Sequence, residues 1–274
     1  MKNCSTSKNK ITSIAIGGFD GMHLAHQALF SQLGSNGGIV VIETGYANLT
    51  PNRYREKYTN YPIFYYVLKD IKHLSGKQFI ELLKKEYSSL KKIVVGYDFR
   101  FGANRECSLD TLKEFFDGEV VIIKRIKYEN ISVHARTIRE FLNKGRLEEA
   151  NKFLNRKYQI SATKIKGQGL GKKQFVPTIN LKCIDFLLPC QGVYATQTIV
   201  NLKEYKSVTF IGNRLTTDDR FSIETHIVEK FDEIFYSKIK IKFLKKIRDN
   251  TKFETYSALK KQILKDIDNI NIYI

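Results

Sequence analysis

Ile11-Thr12-Ser13-Ile14-Ala15-Ile16-Gly17-Gly18-Phe19-Asp20-Gly21-Met22-His23-Leu24-Ala25-His26 decides the architecture of the first half of the chain. A β-branched run that reaches glycine and passes into an amphipathic segment is the strand–turn–helix start of an α/β sheet. Glycines at such a turn let the backbone bend sharply and approach a ligand, and a helix start presents unpaired N–H groups with positive partial charge. The turn is therefore read as an anion site. His23 and His26, three residues apart, lie near one face of the helix start, where both imidazoles can donate to one polyphosphate. Two other readings stay open on these residues alone: a structural pair of histidines, or a metal site, for which nothing nearby supplies an obvious third ligand.

Outward from this turn, β-branched runs alternate with amphipathic stretches. Ile11 to Ile16, Gly38 to Glu43, Lys92 to Gly96 and Glu119 to Lys124 read as strands, and Ala25 to Leu33, Lys77 to Leu90 and Leu109 to Phe116 as helices. This is the rhythm of a parallel sheet covered on both faces. Thr137 to Leu142 and Leu147 to Leu154 make two short helices, followed by a linker near Asn155 to Lys157. The boundary expected from this pattern separates residues 1–156 from 157–274. Beyond it the helices disappear: Tyr158 to Ile165, Gly192 to Val200, Ser207 to Ile211, Phe221 to Val228 and Lys238 to Phe243 suggest an antiparallel barrel. Leu259, Ile263 and Ile267 form the stripe of a closing helix packed on it.

Composition narrows the function. The 274 residues are 42% hydrophobic and 27% charged with only 4 prolines, which excludes a collagen-like or wholly disordered chain. No apolar run approaches the roughly 20 residues of a membrane-spanning helix, no signal-peptide pattern follows the basic start, and Cys4, Cys107, Cys183 and Cys190 form no CxxC pair. A reducing cytoplasm is expected. The net charge of +18 attracts polyanions without choosing among nucleic acid, anionic lipid and phosphorylated small molecules.

In the second half, Gly167, Gly169 and Gly171 alternate in a loop that can fold its N–H groups over phosphates, although the Walker A pattern is absent. The Pro177-Thr178-Ile179-Asn180 stretch that follows is more distinctive. A threonine hydroxyl and an asparagine carbonyl two apart on an extended strand point to one side and can hold a hard cation such as Mg²⁺.

Gly18-x-Asp20-Gly21-x-His23-x-x-His26, with Phe19, resembles the GxFDGxHxGH signature of the nucleotidylyltransferase superfamily. The form is that of the N-terminal domain of bacterial bifunctional riboflavin kinase/FAD synthetases. Val95-Gly96-Tyr97-Asp98-Phe99-Arg100-Phe101-Gly102 is similar to that family's GxDFRFG stretch, and Thr137-Ile138-Arg139-Glu140 to the end of its SSTxIRE segment. The second half resembles the riboflavin kinase signature, a GxGxG loop before a PTAN motif. Leu188-Pro189, Gly192-Val193-Tyr194-Ala195, Ile211-Gly212, Ile223-Glu224-Thr225-His226-Ile227, Phe235-Tyr236 and Ile247-Arg248 before Lys252-Phe253 follow in order. Five departures stand out. Ala25 replaces a glycine, His134-Ala135-Arg136 replaces Ser-Ser-Thr, Thr44 to Pro51 lacks the Phe-x-Pro-x-Pro-like run, Gln174-Phe175-Val176 replaces Leu-Gly-Phe, and Ile179 replaces the alanine of PTAN.

The resemblance implies an α/β nucleotidylyltransferase-type (Rossmann-like) parallel-sheet domain followed by an antiparallel β-barrel riboflavin kinase domain with a C-terminal helix. It implies riboflavin, FMN and ATP as small-molecule substrates, with FAD as product and Mg²⁺ as the cation, and no specific nucleic acid or membrane partner. Glu224 would be the general base toward the riboflavin 5′-hydroxyl. Without the motif, it reads as a strand glutamate paired with a surface lysine. His23, His26 and Arg139 would serve adenylyl transfer. Gly18, Phe19, Asp20, Gly21 and Arg136 would bind its nucleotide, and Asp98, Phe99 and Phe101 would shape the flavin or adenine pocket. Gly167, Gly169, Gly171 and Thr178 would hold the kinase nucleotide, with Thr178 and Asn180 on the metal. His226 reads as structural, and Tyr194 and Phe235 as core or lid aromatics. Two alternatives remain: a kinase whose transferase half has drifted or lost activity, and a basic nucleic-acid-binding regulator with flavin-sensing domains.

Overall fold

A computed structural model describes residues 7–166, 176–229 and 238–272. The chain forms two compact units, Met1–Ala135 and Arg136–Ile274. In the first, β1 (Ser13–Gly17), β2 (Gly37–Glu43), β3 (Ile63–Val67), β4 (Lys92–Gly96) and β5 (Glu119–Ile123) make a five-stranded sheet in the order β3-β2-β1-β4-β5. Every pairing in it is parallel. The order reverses between β1 and β4, so a crevice opens outside their carboxyl ends, where open α/β sheets take ligands.

Alternation along the strands feeds two cores. Ile14, Ile16, Val40, Ile93 and Val95 face α3 (Gly76–Glu86), burying Phe79, Ile80 and Leu83, while Ala15, Ile39, Val41 and Val94 face Leu29 and Phe30 of α1 (Leu24–Phe30). Each such aliphatic side chain contributes about 1.5–3 kcal/mol of transfer free energy. Between β3 and α3 lies the single turn α2 (Leu68–Ile71); α4 (Leu109–Phe115) precedes β5, and β6 (Lys127–Tyr128) and β7 (Ile131–Ser132) form a short hairpin after it. Strand β3 adds a fifth strand to the four read from sequence. Its Ile-Phe-Tyr-Tyr-Val run is mostly half-buried at the sheet edge and runs directly into α2, so no turn signal marks its end.

The second unit carries α5 (Ala135–Asn143) and α6 (Leu147–Leu154), followed by β8 (Tyr158–Ile165), β9 (Ile179–Lys182), β10 (Gly192–Val200), β11 (Lys203–Asn213), β12 (Phe221–Ile227), β13 (Lys238–Arg248) and α7 (Tyr256–Asp268). The strands close into an antiparallel barrel, β10-β11-β12-β9-β8-β13, with β13 pairing back onto β10. Helix α6 belongs with this barrel. Asn151 donates to the Phe243 carbonyl at 3.1 Å and accepts the Tyr158 N–H at 2.6 Å. The compact unit therefore begins ahead of the Asn155–Lys157 segment, which the sequence marks as a linker.

Period-two alternation gives the barrel two chemically different faces. Thr196, Thr198, Ser207, Thr209 and Thr225, all 0% exposed, point inward. Their hydroxyls bond one another, Thr196 to Ser207 and to Thr209 at 2.8 Å, Thr198 to Ser207 at 2.7 Å and Thr209 to Thr225 at 2.9 Å. A hydroxyl both donates and accepts, so the ladder satisfies itself without water. On the part of the outer wall that α7 covers the side chains are apolar: Val193, Ala195, Val208 and Leu244 pack with Phe210, Ile247, Ile267 and Ile270.

One ionic cluster staples the first unit. Lys8 and Tyr66 both donate to Glu86, Tyr66 donates to the Tyr87 hydroxyl at 3.1 Å, and the Lys8 ammonium lies 5.0–5.7 Å from the ring centroids of Phe64, Tyr66 and Tyr87. Burial disfavours the Glu86 carboxylate, but the hydrogen bonds from Lys8 and Tyr66 outweigh it and hold the carboxyl below its ordinary value. A depressed folded-state pKa contributes stability above the ordinary carboxylate range and loses it as pH falls through the folded value. Glu86→Gln is therefore expected to speed hydrogen exchange of β3 and α3 at pH 7, with the difference from wild type shrinking toward pH 3. A pH-independent difference would contradict the ionic account.

Candidate active sites

In the first unit, the turn after β1 is held in a conformation that few side chains adopt freely. Phe19 (φ 48°) and Met22 (φ 46°) are left-handed on either side of Asp20-Gly21. Asp20 holds them there. Its carboxylate accepts N–H bonds from Leu49 at 3.0 Å and Thr50 at 2.8 Å, and Gly21 N–H donates to Thr50 Oγ1 at 2.7 Å. Beneath the turn, Arg55 is 1% exposed, donates to the Gly18 carbonyl at 3.1 Å and the Asn52 carbonyl at 3.0 Å, and pairs with Glu43 at 3.5 Å. A side-chain carbon built on Gly18 would meet nothing closer than the Ile42 carbonyl at 3.9 Å, so its outer side is open to a close approach.

His23 caps α1, and its ring stacks on His26 with centroids 3.5 Å apart and planes inclined by 21°. The Phe19 ring meets His26 edge-on at 5.1 Å. His23 is 3% exposed, whereas His26 is half-buried and is the member of the pair that reaches the surface. Stacked rings do not converge on a common ion, and among the described residues no group of three or more His, Cys, Asp or Glu could hold a metal ion.

Asp98 is exposed beyond the carboxyl end of β4, Phe99 is half-buried, and Phe101 stacks on it at 5.6 Å while packing into the core with Phe79. Tyr97, unremarked in the sequence, has Arg125 over its ring at 4.8 Å and its hydroxyl 3.3 Å from His134 Nε2. Arg136 and Arg139 lie on α5 in the second unit, Arg136 paired with Glu140 at 3.2 Å.

In the second unit a cavity of about 170 Å³ opens on the outer barrel wall. Thr178, Asn180, Glu224 and His226 line one side, Val193, Val208 and Phe210 the floor, and Leu259, Ile263 and Ile267 of α7 the other. The register of β12 sets Glu224 opposite Asn180 on β9 and Phe210 on β11. Thr178 Oγ1 donates to Glu224 at 3.4 Å, and His226 Nδ1 donates to the Pro177 carbonyl at 2.7 Å, fixing the segment that carries Thr178. Glu224, which the motif-free reading paired with a surface lysine, instead faces Arg214, 3.5 Å away. Tyr194 is fully buried with its ring edge-on to Phe243. Gly167, Gly169, Gly171 and Phe235 lie outside the described residues.

Arg214, Arg55 and Asp266 had no signal in the sequence, because an arginine or aspartate shows its partner only once the chain is folded. Asp266, 3% exposed, accepts from Arg248 Nε at 3.0 and 3.2 Å, with Nη2 2.9 Å away as an ion pair, and pins α7 over the cavity. A second, basic depression of about 500 Å³ is lined by Lys166, Lys182, Arg220, Asn180, Arg214 and Ser222, among others.

An oxygen-lined cavity beside a cationic depression, and a glycine–histidine turn at the carboxyl edge of a parallel sheet, are the working parts of a transferase that handles phosphates. Comparison with known proteins makes this specific. The riboflavin kinase family model matches residues 154–274 and the FAD synthetase model residues 47–137. The chain is 28% identical over 295 residues to the bifunctional riboflavin kinase/FMN adenylyltransferase of Buchnera aphidicola subsp. Schizaphis graminum, covering 97% of this chain and 95% of that one. It is 28% identical to the protein of the same description from Listeria monocytogenes, covering 95% and 91%. A crystal structure described as a macrolide-efflux protein from Streptococcus pneumoniae superposes with a TM-score of 0.82 at 24% identity over 96% of this chain and 94% of that one, a likeness of fold. The chain belongs to the bifunctional riboflavin kinase/FMN adenylyltransferase family.

The Arg248–Asp266 pair is expected to carry α7. Asp266→Ala takes the carboxylate from a partly buried Arg248 that keeps its Nη1 bond to the Asp249 carbonyl, so it should destabilise the second unit by about 1.5–3 kcal/mol. Denaturant titration of the full chain checks the loss; an unchanged profile would place the anchor of α7 elsewhere.

Proposed function

We propose that the chain makes FMN from riboflavin and ATP at the outer-wall cavity and FAD from FMN and a second ATP at the turn after β1. The observation that carries the kinase half is the grouping of Glu224, Thr178 and Asn180 along one side of a cavity whose floor and α7 side carry its apolar lining. An isoalloxazine ring system suits the apolar floor, and the carboxylate at its edge suits a substrate hydroxyl. Glu224 accepts the 5′-hydroxyl proton as that oxygen attacks the γ-phosphorus. The bond to the β,γ-bridging oxygen breaks, and ADP leaves with the electron pair. The basic depression and the loop carrying Gly167, Gly169 and Gly171 receive the triphosphate.

The donors Thr178 Oγ1 and the Asn180 amide oxygen, beside a carboxylate, are hard oxygens of the kind Mg²⁺ takes. When bound, Mg²⁺ would supply charge neutralisation at the triphosphate. Thr178 and Asn180 would hold it, and His226 keeps their segment in place through Pro177.

For adenylyl transfer, an FMN phosphate oxygen attacks the α-phosphorus of ATP in line and pyrophosphate leaves, with no covalent enzyme intermediate. The chain's contribution is positioning and charge neutralisation. His26, the half-buried member of the stacked pair, donates to the phosphates; His23 sets its ring from behind. Gly18 and Gly21 admit the nucleotide, and Asp20 holds their turn against residues 48–50 rather than placing a carboxylate against phosphate. Phe19 backs the histidine rings, and Asp98 and Phe99, with Phe101 behind, border the flavin or adenine. The division of labour gives adenylyl transfer to the sheet of the first unit and phosphoryl transfer to the barrel of the second. The partners are these small molecules, and the compartment is the cytoplasm, in keeping with free thiols at Cys107, Cys183 and Cys190.

Three outcomes test the reading. Glu224→Gln should suppress FMN formation while leaving FMN-to-FAD conversion within a few-fold of wild type; equal loss of both would contradict separate sites. His26→Ala should lower FAD formation on the order of 10²-fold, and wild-type kinetics would return the histidine to a structural role. Asn180→Ala should raise the Mg²⁺ concentration needed for half-maximal kinase activity, whereas an unchanged titration would remove Asn180 from the metal.

A further inference from the structure

The apolar cavity and the basic depression share two lining residues, Asn180 and Arg214. A group transferred from a nucleotide in the depression to an acceptor in the cavity passes this seam. The Arg214 guanidinium is held there unequally. Nη2 bonds Asp218 at 2.8 Å, while Nη1 stands 3.5 Å from Glu224 Oε1, beyond an ordinary hydrogen bond. Nε is buried and has no acceptor among the described residues. Ser222 Oγ, in the same depression, is likewise buried with no partner among them. Buried donors without acceptors are costly, and an oxygen-rich ligand relieves that cost.

Resting on the kinase reading above, we propose that Arg214 is a catalytic residue of the phosphoryl-transfer step. Its guanidinium donates to the γ-phosphoryl oxygens as the bond to the β,γ-bridging oxygen breaks and the bond to the flavin 5′-oxygen forms. The electron pair leaves with ADP and the proton goes to Glu224. Asp218 keeps the guanidinium at the seam when no nucleotide is bound, through a turn closed by Arg214 N–H to the Arg220 carbonyl at 3.0 Å. Charge spread over the transferring phosphoryl group is the quantity an arginine in this position stabilises.

The test compares wild type, Arg214→Ala and Arg214→Lys in the full chain, assaying riboflavin phosphorylation and, in the same preparations, FMN-to-FAD conversion as a check on the rest of the molecule. Arg214→Ala should lose about 10²- to 10³-fold in kcat for FMN formation, with KM for riboflavin within about threefold. Arg214→Lys should fall between, and added guanidinium ion should restore part of the alanine variant's kcat. A kcat within threefold of wild type in Arg214→Ala would overturn the proposal. So would a loss that neither lysine nor guanidinium relieves, since that marks a purely structural role. If the alanine variant does not fold, the lysine variant decides alone: wild-type kcat or a raised riboflavin KM at constant kcat overturns the proposal, and a reduced kcat at constant KM supports it. Wild-type protein that makes no FMN would instead remove the kinase reading itself.

Discussion

A slip of one residue between β9 and β12 would turn Glu224 into the barrel and Thr225 out into the cavity. The proposed kinase site depends on that register, which pairs Glu224 with Asn180 and Thr225 with Ile179. What fixes it is the difference between the two faces. Inside, Thr225 bonds Thr209 among buried side chains that leave no place for a carboxylate; outside, Glu224 stands on a polar edge with Thr178, Asn180 and Arg214. The hydroxyl interior thus supports the chemistry on the other side of the same strands.

The first unit solves a related problem with different materials. A turn that must expose its backbone cannot be stabilised by covering it, so it is tied from behind. Asp20 gathers the N–H groups of residues 49 and 50, and buried Arg55 holds the Gly18 carbonyl. Left-handed Phe19 then brings its ring against His26 instead of blocking the open side. In both units the charged side chains that matter most are paired before any substrate arrives, which suits reactions governed by positioning. The general excess of basic residues adds long-range attraction for polyanionic substrates but selects none of them.

The sequence made the fold class legible because its two periodicities are clean. The run Ile14-Ala15-Ile16 into the glycines announces a strand and a turn, and Leu259, Ile263 and Ile267 announce the closing helix. It hid β3, a short aromatic edge strand with no terminating turn, and the extent of β9, whose Thr178-to-Asn180 approach reads as extended but whose partners, β8 and β12, are set only by the fold. Glu224 and His26 are legible through the motifs that carry them, although Glu224 meets Thr178, Asn180 and Arg214 only in the folded chain. Arg214 and Arg248 were not assigned a part, because they act through carboxylates at positions 218, 224 and 266 that only the folded chain brings within reach. Asp20 was legible as a site residue but not as a brace, since its partners lie some thirty positions away.

The central claim is that one chain moves two different phosphorus atoms of ATP onto flavin at two places. Purified protein given riboflavin, Mg²⁺ and ATP labelled either on the γ- or on the α-phosphate separates the two transfers directly. The account requires γ-label in FMN and carried on into FAD, and α-label in FAD but never in FMN. Flavin that stays unlabelled from both positions, or α-label appearing in FMN, would contradict it.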